Sequence, residues 1–189
     1  MDQSPDLALA SRQLSREALQ RSGELQLHVI STSMAPLLKP GDAILVQPAR
    51  IQDLQLGQIV VYERGSDWIT HRLVQQDRFS WTLKGDACLA PDAPVQPSEI
   101  IGRVVSRIRL LSTSEKTRLD LLQKRWLWLG SFTAFLGRLQ SVVWITTALP
   151  RSKTTHPFGL LQMKVGKGLC WMLHKTQLGI EGLFISLFS

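Results

Sequence analysis

The sequence predicts a mainly β protein with a short N-terminal helix and a C-terminal helical tail. Three observations carry that prediction. Short apolar runs with a period of two recur between Leu25 and Leu110. Glycine, proline and aspartate punctuate them, as at Pro40-Gly41-Asp42 and Lys84-Gly85-Asp86. Beyond Leu110 the pattern changes to a long, apolar and basic stretch with helical spacing. The chain of 189 residues holds one ordinary domain with appendages. We read these as residues 1–24, 25–110 and 111–189.

In chain order, Ser4-Pro5-Asp6 combines an N-cap, a proline at the first helical position and an early acid. Leu7, Ala10, Leu14 and Ala18 follow at helical spacing, and Gly23 is a natural stop. This predicts an amphipathic helix over about 5–22, packed on the core or lying on a membrane. Leu25, Leu27 and Val29 alternate with polar positions and predict a strand. Ala43–Val46, Gln58–Tyr62 and Trp68–Val74 predict three more. Phe79, Trp81 and Leu83 alternate, which places a hairpin turn at Gln75-Gln76-Asp77. Ile100–Leu110 closes the sheet.

In the tail, Ser112 with Glu115 three residues on forms a capping-box pattern. It predicts a helix through Leu119, Leu122 and Trp126 toward Leu149-Pro150. Residues 127–149 are mostly apolar and long enough to span a bilayer, although Arg138 and Gln140 sit in the middle. Spanning, lying at the interface and packing on protein all remain open for this segment. Lys175 and Glu181 argue against a second span farther on.

Charge is unevenly placed. Residues 1–110 hold 12 basic and 12 acidic side chains, whereas residues 111–189 hold 10 basic and 3 acidic, so the net +7 comes from the tail. Four of the six tryptophans lie there. A basic, Trp-rich apolar tail suits an anionic membrane surface better than a nucleic acid, so no nucleic-acid partner is expected. Cys88 and Cys170 have neither zinc nor redox spacing and predict no disulfide framework. No secretory signal peptide is read in residues 1–23, which contain Asp2, Asp6 and Glu17 and no apolar run of seven.

Chemistry concentrates in three blocks. Ser31-Thr32-Ser33-Met34-Ala35-Pro36 precedes the Pro40-Gly41-Asp42 turn. Ile69-Thr70-His71-Arg72 lies on a predicted strand. Lys84-Gly85-Asp86 is followed six residues later by Asp92. Together they supply a hydroxyl, an imidazole and a carboxylate, the three types that nucleophilic acyl transfer needs. Ser33 is the candidate nucleophile, His71 the candidate general base, and Asp86 and Asp92 compete to orient the imidazole. The Ser33 backbone N–H is a natural oxyanion donor. This chemistry calls for no metal and no cofactor.

Four blocks in this order resemble the type I signal peptidase family on its eukaryotic and archaeal-like branch: the serine box Ser31–Asp42, His71-Arg72, Lys84-Gly85-Asp86 with Asp92, and Ile100-Ile101-Gly102-Arg103-Val104-Val105. The resemblance covers about residues 25–109. It implies a coiled β-sheet core of the signal-peptidase/LexA-like kind and a serine endopeptidase cleaving an extended precursor or leader peptide. It implies Asp92 as the orienting carboxylate, Asp86 as an accessory acid near the same histidine, and the Ser31 hydroxyl as a second oxyanion donor. Relatives that use lysine as base carry it where His71 stands here; Lys84 is the nearest alternative. The family usually places a membrane helix just before the serine box, and this chain has none there. Two other readings are a LexA-like self-cleaving regulator, for which the first 24 residues are too short to hold a helix-turn-helix, and a non-catalytic module that binds a strand.

Overall fold

A computed structural model of the chain describes residues 5–111, 116–148 and 157–188. Helix α1 (Pro5–Ser22) leads into seven strands: β1 (Leu25–His28), β2 (Ala43–Gln47), β3 (Ile59–Arg64), β4 (Asp67–Gln76), β5 (Trp81–Lys84), β6 (Ile100–Leu110) and β7 (Lys116–Asp120). Helices α2 (Lys124–Ala148) and α3 (Pro157–Phe188) follow. The protein is therefore built on an antiparallel β-sheet of seven strands, with helices at both ends of the sequence.

The strands form one sheet in the order β1-β2-β6-β3-β4-β5, with β7 added to β6. Every strand pairing is antiparallel. Registers shift at Leu45/Val46, Val61/Tyr62 and Leu73/Gln75, and irregularities of this kind bend a sheet and increase its twist. Alternation along β3 and β4 divides the interior into two layers. Val60, Tyr62, Leu73, Leu83 and Trp81 fill one. Ile59, Val61, Val104, Met34, Leu38 and Trp126 belong to the other.

Three expectations need correction. The helix predicted from Ser112 begins instead at Lys124, and Lys116–Asp120 is strand β7. Thr117 and Leu119 point inward between exposed Lys116, Arg118 and Asp120, a period of two that outweighs the 119-122-126 spacing. The cause is long-range: β6 runs beyond β3, and β7 satisfies the backbone groups it leaves open. The sheet thus extends past Leu110 into the expected tail. The Ser112–Glu115 capping box lies outside the described residues, as does the Ser4 cap. Finally, the β4–β5 turn spans 77–80, closed by Asp77 N–H donating to the Ser80 carbonyl, so Gln75 and Gln76 belong to β4. Phe79 is 78% exposed at the tip rather than on a strand.

Helix α1 rests on the core through buried Leu19 and an Arg16–Glu63 ion pair. Helices α2 and α3 run antiparallel: Trp126 meets Phe184 edge-on at 5.2 Å, and Gln140 bonds the Cys170 carbonyl. At Gly57, where φ is +91°, a Cβ would stand 2.3 Å from the Gly130 carbonyl carbon. Only two glycines allow α2 to approach the β3–β4 side of the sheet this closely.

Candidate active site

The serine box is a loop anchored at both ends. Val29 N–H donates to the Asp42 carbonyl and Gly41 N–H to the Val29 carbonyl, both at 2.9 Å. Asp42 accepts the Lys39 N–H at 2.8 Å and a bidentate pair from Arg109, both bonds 2.6 Å. Arg107 donates to the Leu37 carbonyl at 3.0 Å. Met34, Leu37 and Leu38 are buried beneath the loop. Burial of those three side chains fixes the loop and leaves Ser33 half-buried at its surface. Ser33 Oγ lies 3.1 Å from Ser31 Oγ.

His71 lies in β4 opposite Val60 of β3. Its Nδ1 stands 2.6 Å from Asp92 Oδ2. The segment carrying Asp92 runs along the outer edge of β5, with Asp92 N–H donating to the Leu83 carbonyl at 2.9 Å and Trp81 and Val95 exchanging two bonds. Adding this segment to the edge strand places the carboxylate beside the imidazole, 21 residues away in sequence. In the tautomer that donates Nδ1–H to Asp92, Nε2 is the nitrogen able to accept a proton.

Gly85 brings the serine loop and the histidine together. A Cβ there would lie 2.7 Å from the Ser33 carbonyl oxygen and 3.0 Å from His71 Nε2. Ala87 N–H donates to that same Ser33 carbonyl at 2.8 Å. The Gly85–Ala87 turn thus borders both the Ser33 carbonyl and His71 Nε2. Ser33 Oγ makes its hydrogen bond to Ser31 rather than to His71, and catalytic contacts of this type commonly tighten only once substrate is bound.

Asp86, expected as an accessory acid near His71, makes its side-chain hydrogen bonds to Arg72 instead. It forms a bidentate pair with Arg72, with Nε–Oδ1 at 2.8 Å and Nη2–Oδ2 at 2.6 Å. Adjacent strand residues point to opposite faces, so Arg72 and His71 look away from each other. Lys84 is directly paired with Arg72 across β4 and β5, and two like charges in that position repel. Asp86 offsets them, and Glu181 of α3 stands beside the pair, its Oε1 3.5 Å from Arg72 Nη2. Burial opposes the charge on Arg72, but Asp86 and Glu181 outweigh it and hold the guanidinium ionised. Burial lowers the Lys84 ammonium, and its Nζ reaches the Gly85 carbonyl at 3.4 Å. Burial, reinforced by Asp86, pushes the Glu181 carboxyl up to about 8.

This sealed cluster was not legible as a site in the sequence. One signal existed: Glu181 is the lone acid in residues 124–188, and a lone acid in a basic tail needs a partner. Cys88 and Cys170 are free. Burial raises the Cys88 thiol, which disfavours the thiolate and leaves it a poor nucleophile. Neither a scan of protein-family models nor a comparison with curated proteins finds a match to the chain.

Proposed function

We propose that the protein is a serine endopeptidase of the signal-peptidase-like kind, cleaving a precursor or leader peptide through Ser33, His71 and Asp92. The observation that carries the reading is the His71 Nδ1–Asp92 Oδ2 contact of 2.6 Å on a histidine whose Nε2 borders Gly85, as the Ser33 carbonyl does. In this reading Nε2 takes the Ser33 hydroxyl proton as Oγ attacks the scissile carbonyl. Asp92 stabilises the imidazolium that forms, and the Ser33 N–H and Ser31 hydroxyl stabilise the oxyanion. The imidazolium then protonates the leaving amine. Water, activated by the same nitrogen, releases the acyl group from Ser33.

The substrate is an extended segment, bound through main-chain hydrogen bonds as an added strand. The full chain is co-expressed with candidate precursors and the products are read by intact mass. Cleavage that requires both Ser33 and His71 supports the assignment. Cleavage at the wild-type rate by Ser33→Ala sinks it.

We further propose that α2 and α3 rest on an anionic membrane surface. Trp128, Phe135, Leu139, Trp171, Met172 and Leu183 are exposed on them. The lone acid of residues 124–188, Glu181, is buried against Arg72, and Lys124, Arg138, Lys167 and Lys175 face solvent with no exposed acid among the described residues of these helices. No helix of the described residues is long and apolar enough to cross a membrane, which favours lying on the surface.

A further inference from the structure

Tyr62 on β3 shares a sheet face with His71. Val60 stands opposite His71 and Ile69 opposite Tyr62, so the two rings are diagonal neighbours, with centroids 6.3 Å apart and planes at 50°. Tyr62 is fully buried, and its hydroxyl has no aligned hydrogen-bond partner among the described residues. A buried phenol is rarely left in that state. Burial raises the phenol, and the Asp92 carboxylate raises it further.

The loop bearing Asp92 is tied to the same ring. The Arg64 guanidinium lies 5.4 Å over the Tyr62 centroid while Nη2 donates to the Ala93 carbonyl at 2.6 Å. Asp92 uses Oδ2 on His71 and its backbone N–H on Leu83. Its second carboxylate oxygen is left for another donor, and a carboxylate held by only one hydrogen bond can rotate out of the imidazole plane.

We propose that Tyr62 is a positioning residue of this site, its hydroxyl donating to the free oxygen of Asp92 and locking the carboxylate against His71. The inference rests on the Ser33–His71–Asp92 reading for its meaning, but its geometry can be tested without any peptidase activity. Tyr62 is the chain's single tyrosine, so the Raman tyrosine doublet of the intact protein reports this hydroxyl alone. The wild-type doublet should show a strong donor, and Asp92→Asn should shift it toward a weak one. An identical doublet in the two proteins overturns the proposal, whatever the activity assay shows.

Tyr62→Phe supplies the reciprocal reading. Without the phenol, Asp92 becomes a stronger acceptor for His71, and the downfield proton resonance of the His71 Nδ1–H should move further downfield. An unchanged resonance in the folded variant also overturns the proposal. If Tyr62→Phe fails to fold, the Asp92→Asn doublet, which leaves the tyrosine in place, decides alone. In the peptidase assay kcat should fall roughly ten- to hundredfold with KM unchanged, the loss expected for a hydrogen bond to a charged group.

Discussion

Asp86 grips Arg72 in a bidentate pair on the face of β4 opposite His71, and neither side chain is more than 3% exposed. One carboxylate of the third block therefore serves the sheet–helix junction, while Asp92 serves the imidazole. The Gly85–Ala87 turn lies between these two roles and is bonded to the serine loop through Ala87 N–H and the Ser33 carbonyl.

The two acids should separate cleanly by mutation. Asp92→Asn should cost less stability than Asp86→Asn and lose about 10⁴-fold in kcat, because the imidazole is held in the wrong tautomer. Asp86→Asn should cost about 3–5 kcal/mol of stability, the range for a buried pair that loses one partner. Paired melting curves and turnover rates check both; equal stability losses in the two variants would return Asp86 to the catalytic set.

Gly85→Ala should inactivate the protein. Its methyl group would meet the Ser33 carbonyl oxygen at 2.7 Å, the Cys88 sulfur at 2.7 Å and His71 Nε2 at 3.0 Å. Replacing Cys88 by alanine in the same protein relieves only the sulfur contact, so it should restore little, since the Ser33 contact is backbone. Full rescue by Cys88→Ala would show that the turn does not seat the serine loop.

Stability should fall as pH rises because of Glu181. Its carboxyl is raised from an ordinary 4.5 to about 8 in the fold, so the folded state holds a proton that the unfolded chain has released over that window. Proton uptake on folding stabilises at low pH, and the contribution is lost as pH climbs through about 8. Lys84 is lowered by burial and pulls the other way, so the comparison with Glu181→Gln isolates the carboxyl. That variant should show a flatter melting profile from pH 5 to 8, and parallel profiles would remove Glu181 as the cause.

Binding to vesicles containing anionic lipid should be strong at low salt and weaken as salt screens the cations. A paired Trp128→Ser and Trp171→Ser variant should lose most of the affinity without unfolding, because both side chains are more than half exposed. Indifference of the full chain to anionic vesicles at low salt would leave the apolar faces of α2 and α3 for a protein partner.

Local pattern alone predicted α1 and six of the seven strands to within a few residues, because period-two burial and Pro-Gly turns are properties of neighbouring residues. The residue types of the Ser33, His71 and Asp92 set were legible for the same reason. Neighbours could not show β7, whose strand state depends on an open stretch of β6. They could not allot Asp92 to His71 and Asp86 to Arg72, since two carboxylates six residues apart look alike until one crosses the β5 edge and the other turns under the sheet. Nor could they show the partner of Glu181, which lies 109 residues from Arg72. The sequence determined which segments extend or coil and which chemical groups were present. The tertiary structure decided which groups meet, because edge pairing, charge compensation between facing cations and close approach at glycines depend on segments distant along the chain.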